Sequence, residues 1–321
     1  MAQTTPPYHV PVMASEVVEL FAPLHSGVIV DATYGGGGHT RALLEAMPAI
    51  HVLGLDRDLD AIARVPVEPR LRLVTANFGD LAAVLTNPET KAWIDEHRDD
   101  DPDRIGLAGV LFDLGVSSHQ LDEPERGFSY HGTGPLDMRM GPDAELTAGD
   151  IVNGCSVAEL ASIFRRFGEE RYARRIAERI VDHRPIGTTA ELAGIVADAV
   201  PAPARRRRHP ARKVFQAIRI AVNDELAAVA QGIDDALDAI RPEGRVVVIA
   251  YHSLEDRIVK RRFVAGATGC VCPPELPVCV CEQTAEVRRL TRKPLRPSEA
   301  EVEQNPRARS ARLRAVEKAA A

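Results

Sequence analysis

Apolar residues fall into two rhythms along this chain. Short apolar runs of strand length stand at 28–32, 51–55, 71–75 and 109–112. Between them, stretches at 40–47, 58–64 and 81–97 carry apolar positions at helical spacing. Four strands alternating with helices predict right-handed crossovers and a parallel sheet covered on both faces. The alternation stops near Leu121. From there to Phe215 no apolar strand run occurs, and helical patterns take over at 157–166, 169–183 and 189–199. A long helix at 213–240 and the turn Arg241-Pro242-Glu243-Gly244 then lead into a β-type run at 245–251. The tail, 290–321, reads as closing strands with a frayed end.

The expected architecture is α/β, a doubly wound, mostly parallel sheet with a helical insertion domain. The first part of the sheet domain is placed at 1–120, the insertion at 121–215 and the second part at 216–321. No internal repeat is visible.

Composition narrows the class. The chain has 321 residues, a length that suggests about two domains. With 45% hydrophobic and 27% charged residues it is neither fibrous nor disordered throughout. No apolar run approaches the ~18 residues of a membrane span, so no membrane partner is expected. The first 13 residues lack the charged and apolar regions of a secretory signal. Five cysteines in a chain able to bury a core argue against a disulfide scaffold and for a reducing, cytoplasmic setting.

Charge is unevenly spread. The net charge is −6, yet residues 165–219 hold 14 basic against 6 acidic residues, a net of +8. The run Arg205-Arg206-Arg207-Arg208, followed by His209, places four like charges side by side. Such a block suggests a polyanion partner at the insertion. The opposite run, Asp99-Asp100-Asp101 with Asp103, reads as a solvated loop.

Candidate chemistry gathers at the strand ends. Gly35-Gly36-Gly37-Gly38 follows the first strand and opens a helix, which lets a ligand approach bare backbone. Asp56, at the end of the second strand, suits the hydroxyls of a ribose and would repel a 2′-phosphate. The dinucleotide fingerprint is incomplete, because Thr40 replaces its third glycine and His39 crowds the helix start. Asp31, at the end of the first strand, suits a ligand carrying an ammonium or sulfonium charge rather than a diphosphate. No P-loop is present.

Asp113-Leu114-Gly115-Val116-Ser117-Ser118 ends the fourth strand, and Gln120 follows closely. Its carboxylate can accept hydrogen bonds from an amine or cap a helix. Tyr251 and His252 end the returning strand, with Ser253 expected to cap the next helix and Asp256 at its third position. The clusters Arg126-Gly127-Phe128-Ser129-Tyr130 and Asp137-Met138-Arg139-Met140 are read either as lining a nucleotide pocket or as packing the base of the insertion.

Taken in order, these residues resemble a known family. His9-Val10-Pro11-Val12, Asp31-Ala32-Thr33 with Gly35 to His39, Gly54-Leu55-Asp56-Arg57-Asp58, Asn77-Phe78, Asp113 to Ser118, Arg126 to Ser129 and Gly134 to Met140 carry the first half. Tyr172-Ala173, His209-Pro210-Ala211, Phe215 to Arg219, His252 to Arg257 and Asn305 to Ser310 carry the second. The chain is similar to the bacterial 16S ribosomal RNA cytosine-N4 methyltransferases, the RsmH or MraW family, along nearly its whole length.

The resemblance implies a Rossmann-like, class I fold dependent on S-adenosyl-L-methionine. It implies 16S rRNA or the small ribosomal subunit as partner and N4 of one cytidine in the decoding region, nucleotide 1402 in the usual RNA numbering, as acceptor. By position, Gly37, Gly38 and His39 would contact the donor's methionine end, Asp56 its ribose and Phe78 its adenine side, with Asp113 and Gln120 completing the site. The family's helical insertion would engage RNA. A homodimer is left open.

The exocyclic amine of cytosine is a poor nucleophile, so the enzyme must hold it in line and accept a hydrogen. Asp113 is the first candidate acceptor, with Tyr251 or His252 second. Related amino methyltransferases carry D/N-P-P-Y/F at the fourth strand. Here the sequence is Asp-Leu-Gly-Val, which favours a cofactor role for Asp113 over a catalytic one. Two other classes compete: a nucleotide-dependent oxidoreductase on the same fold and a non-catalytic RNA-binding assembly factor.

One motif stands apart. Cys270, Cys272, Cys279 and Cys281 form two C-x-C pairs on a short proline-stiffened loop, read either as a structural zinc site or as free thiols. Cys155 reads as an ordinary buried thiol.

Overall fold

The computed structural model describes residues 11–62, 68–99, 101, 105–205, 209–269, 281 and 284–320. The chain divides into two compact units: residues 1–115 with 226–321, and residues 116–225. Among the described residues no helix is long and apolar enough to cross a membrane.

The first unit is built on one sheet of seven strands: β1 (Gly27–Asp31), β2 (Ile50–Asp56), β3 (Leu71–Thr75), β4 (Leu107–Asp113), β5 (Ile240–Ala250), β6 (Val287–Arg289) and β7 (Arg312–Lys318). Their order is β3-β2-β1-β4-β5-β7-β6. The first five run parallel, and β7 is antiparallel to both β5 and β6. This is the doubly wound, mostly parallel arrangement expected from the sequence. The order reverses between β1 and β4, and ligands of open α/β sheets bind at the carboxyl ends of the strands beside such a reversal.

Strand alternation explains the two covered faces. Val28, Val30, Leu53, Val110, Phe112, Val246 and Val248 enter one core. Ile29, Val52, Leu111, Val247 and Ile249 enter the other, with Val17 and Phe21 of α1 (Ala14–Phe21) and Leu43 and Leu44 of α2 (Gly38–Ala46).

Several elements depart from the expected pattern. The helix expected over 81–97 is two, α3 (Leu81–Thr86) and α4 (Pro88–His97), because Asn87 caps the second helix and Pro88 begins it. The residues read as a turn at 241–244 lie inside β5. Its register advances from Ile240 to Arg245 while β4 advances only from Leu107 to Gly109, so three extra residues bulge outward. The bulge seats Arg241, 2% exposed, whose guanidinium donates to Asp99 at 2.7 Å and to the Ser26 carbonyl at 3.1 Å. Asp99 is therefore an ion-pair partner rather than part of a solvated loop. Burial pushes its carboxyl up, but the Asp101 amide, Ser26 and Arg241 outweigh it and bring it down to about 2.

The second unit is helical: α5 (Ala148–Gly154), α6 (Val157–Gly168), α7 (Ala173–Asp182), α8 (Thr189–Ala199) and α9 (Ala211–Asn223). Capping boxes start three of these helices, Thr147 with Asp150, Ser156 with Glu159, and Thr188 with Glu191. Leu160 and Phe164, Ile176 and Ile180, Val196, Val214 and Ile218 meet in one core. Phe128, Met138 and Met140, the apolar members of the two polar–aromatic clusters, belong to that core.

The insertion boundary expected at 215 falls inside α9. That helix ends at Asn223, and Asp224 takes a left-handed φ of 46° before α10 (Glu225–Ala239) begins. The single helix expected over 213–240 is thus two.

Candidate active site

Three aspartates end adjacent parallel strands: Asp31 on β1, Asp56 on β2 and Asp113 on β4. Each has a different environment.

Asp31 is 1% exposed. Its Oδ2 accepts from the Thr40 hydroxyl at 2.7 Å and its Oδ1 from the Thr33 amide at 3.3 Å. Burial raises its carboxyl above the usual range, against the pull of His39. The side chain ties the first turn of α2 to the end of β1.

Asp56 holds the glycine loop. Its Oδ2 accepts from the Gly35 amide at 2.7 Å and its Oδ1 from the Asp58 amide at 2.8 Å. Burial nonetheless pushes its carboxyl up to about 6. Each carboxylate oxygen keeps further lone-pair capacity after one amide bond. A pair of hydroxyls can use that capacity.

The glycine loop passes over this carboxylate. Gly37 caps α2 with φ 67°. A Cβ there would lie 2.4 Å from the Tyr34 hydroxyl, so only glycine fits. Gly38 packs against the ring of Pro11, where a Cβ would meet it at 3.1 Å. The loop is thus a backbone surface with its amides at a helix start, which suits a carboxylate or another anionic group.

His39 and Asp113 are joined. The His39 Nε2 donates to the Val12 carbonyl at 2.9 Å, and its Nδ1 lies 3.7 Å from Asp113 Oδ2. The Asp113 amide donates to the Thr33 hydroxyl at 2.6 Å. The Tyr251 hydroxyl donates to Asp113 Oδ1 at 2.8 Å. Burial, then the Asp113 carboxylate, raise the Tyr251 phenol well above its ordinary 10. Tyr251 thus donates to Asp113 and holds its own proton firmly.

His252 caps a helix. Its Nδ1 accepts from the Glu255 amide at 3.4 Å, while the Glu255 carboxylate accepts from the amides of Tyr251 and His252. This reciprocal box starts α11 (Ser253–Gly266). The cap is one residue earlier than expected: His252 with Glu255, not Ser253 with Asp256. Asp256 instead binds Arg312 and Arg314 of β7. His252 Nε2 is buried 3.0 Å from Glu255 Oε1 but has no hydrogen-bond partner among the described residues.

Phe78 stands after β3, on the 3-10 turn Phe78–Asp80 capped by Asn77. It is half-buried, with its ring edge-on to Phe112 at 5.8 Å. Gly232 of α10 backs it, since a Cβ there would come within 3.2 Å of the ring. Gln120 belongs to the second unit. Its Oε1 accepts from the Ser117 amide and its own amide donates to the Ser117 hydroxyl.

Hydrogen bonds and close approaches thus gather Gly35, Gly37, His39, Asp56, Asp113 and Tyr251 at one edge of the first unit's sheet. The sequence reading missed Thr33 and Glu255, which hold the backbone of Asp113 and Tyr251. Cys270, Cys272 and Cys279 lie outside the described residues; Cys281 is half-buried.

The sequence matches the MraW methylases from residue 7 to residue 319. The chain belongs to the MraW methylase family. Its curated relatives are similar over almost their full length. The ribosomal RNA small subunit methyltransferase H of Symbiobacterium thermophilum is 48% identical over 324 residues, covering 97% of this chain and 96% of that protein. The enzyme of the same name from Heliobacterium modesticaldum is 46% identical over 321 residues, covering 97% and 98%. Among solved structures, an rRNA methylase from Streptococcus thermophilus covers 99% of each chain at 12% identity and a TM-score of 0.38, a likeness too weak to carry an argument.

Proposed function

We propose that this chain transfers the methyl group of S-adenosyl-L-methionine to N4 of a cytidine in the decoding region of 16S rRNA. The observation that carries the reading is the family match over residues 7–319, joined to relatives whose names specify small-subunit ribosomal RNA.

The strand-end residues fit the donor. The backbone at Gly37 and Gly38 opens α2, and this helix start takes the carboxylate of its methionine end, beside His39. Asp56, charged above about pH 6, takes the two ribose hydroxyls. Phe78 flanks the adenine. When bound, the donor supplies an electrophilic sulfonium methyl.

The residues of this chain supply position and a proton acceptor. The cytosine amine shares its lone pair with the ring and attacks only when held in line. The Asp113 carboxylate accepts a hydrogen bond from that amine, which localises the lone pair, and afterwards receives its proton. Tyr251 and Thr33 hold Asp113 by side chain and backbone. His252 caps α11 through Nδ1, and the acceptor role is assigned to Asp113, whose carboxylate ends β4.

The test is methyl transfer from labelled donor to small ribosomal subunits and to naked 16S rRNA. The reading requires label in the RNA from at least one of the two substrates. Absence of label from both, with intact donor binding, would sink it.

A further inference from the structure

One end of the second unit combines stacked rings with arginines. Tyr130 sits there between two histidines that both touch its ring. Its ring lies parallel to His209, 4.9 Å away at 19°, and 4.2 Å from His131. Phe215 meets it edge-on at 5.8 Å. Phe215 is core, Tyr130 is half-buried, and both histidines are exposed. The His209 Nδ1 accepts from the Ala211 amide at 3.3 Å, which leaves Nε2 as the ring's donor. Tyr130 and His209 are therefore stacked at the surface, with the tilted His131 ring closing a three-ring cluster 6.2 Å from His209.

The arginines converge on the same end. α6 finishes where α9 begins: Gln216 donates to the Phe167 carbonyl and Lys213 to the Glu169 carbonyl. The last turn of α6 carries exposed Arg165 and Arg166, the next loop carries Arg171, and α9 starts with Arg212 and Lys213. Arg166 lies over the Phe167 ring at 5.2 Å and Arg171 over Tyr172 at 5.4 Å. Of the two acids on that loop, Glu170 is buried and accepts from the Tyr172 amide, whereas Glu169 is exposed.

Aromatic faces beside cations are what an unpaired nucleic-acid strand requires. Bases stack on any π-face, and arginines neutralise phosphates. A protein partner would call for a desolvated apolar centre, and this end presents imidazoles and guanidiniums instead. We propose that the Tyr130–His131–His209 ring cluster is a base-stacking platform for single-stranded RNA, with Arg166, Arg171 and Arg212 on the adjoining phosphates. This inference rests on the RNA substrate of the proposed function and names where the strand outside the reacting base is held.

The test uses the full chain and a single-stranded RNA oligonucleotide carrying 2-aminopurine, whose emission is quenched when it stacks. Wild type is expected to quench the probe, and Tyr130→Phe to do so equally. Tyr130→Leu, which keeps an apolar contact to Phe215, should lose the quenching and bind at least about fivefold more weakly. Arg166→Gln and Arg171→Gln should each lower the slope of log affinity against log salt by about 0.7. Donor affinity and melting temperature, measured on every variant, should stay at the wild-type value.

Tyr130→Leu quenching and binding like wild type would overturn the platform. So would unchanged salt slopes together with unchanged affinity in the arginine variants. Failure of wild type to methylate rRNA strikes the proposed function itself, and is read in a separate assay. Loss of rRNA methylation in Tyr130→Leu with donor binding retained supports both.

Discussion

The phenol of Tyr251 donates a 2.8 Å hydrogen bond to Oδ1 of Asp113 and so ties the end of β5 to the end of β4. The pairing register brings them together: Asp113 lies opposite Ile249, two residues before Tyr251. The carboxylate assigned to the amine thus has its orientation set by a side chain that keeps its own proton.

Removing the carboxylate should abolish turnover. Asp113→Ala is expected to lower kcat by about 10²–10⁴ while the chain stays folded. Tyr251→Phe leaves the carboxylate in place and removes only its tether, so the expected loss is far smaller, with donor Kd within about twofold of wild type. Steady-state kinetics and donor titration of both variants check this. Wild-type kcat in Asp113→Ala would retire its catalytic role.

Donor binding should depend on pH through Asp56. Its carboxyl is raised to about 6, and donating hydroxyls favour its ionised form. Affinity for the donor should therefore be full above that pH and fall as pH drops through about 6. Asp56→Asn should weaken binding by about tenfold or more at pH 8 and flatten the profile. Calorimetric titration from pH 5 to pH 8 reads both effects.

The glycine loop should not accept a side chain. At Gly37 the backbone has φ 67°, and an added Cβ would strike the Tyr34 hydroxyl. Gly37→Ala is expected to cost about 1–2 kcal/mol of stability and to weaken donor binding as the loop shifts. A wild-type melting curve with wild-type donor affinity would contradict this account of the loop.

The β5 bulge depends on its ion pair. Asp99→Ala leaves the buried Arg241 guanidinium without its carboxylate and should destabilise the fold by about 3–5 kcal/mol. Asp99 is depressed to about 2, so its contribution is present above the ordinary carboxylate pKa near 4 and is lost as pH falls through about 2. Denaturant unfolding of wild type and variant at pH 7 and at low pH measures the difference and its convergence.

The sheet was legible because β1, β2 and β4 are buried on both faces and read as unbroken apolar runs. The helices of the second unit were legible from their periodicity. Other features broke local rules. Arg241 is a charged residue serving as core, so the start of β5 looked like a turn. Asp224 breaks two helices with a left-handed residue where helical periodicity continues on both sides. His252 lies outside the usual set of capping residues, which moved the expected cap to Ser253. Asp56 and the glycine loop were visible from their place after strands. The Tyr251–Asp113 bond required the pairing register, which no local stretch of sequence contains.

The most direct measurement is the identity of the modified nucleoside. 16S rRNA methylated by the purified chain with labelled donor is digested to nucleosides and separated by chromatography. The account predicts label in N4-methylcytidine, and none there with Asp113→Ala. Label in a ring-carbon or ribose-methylated nucleoside would contradict it.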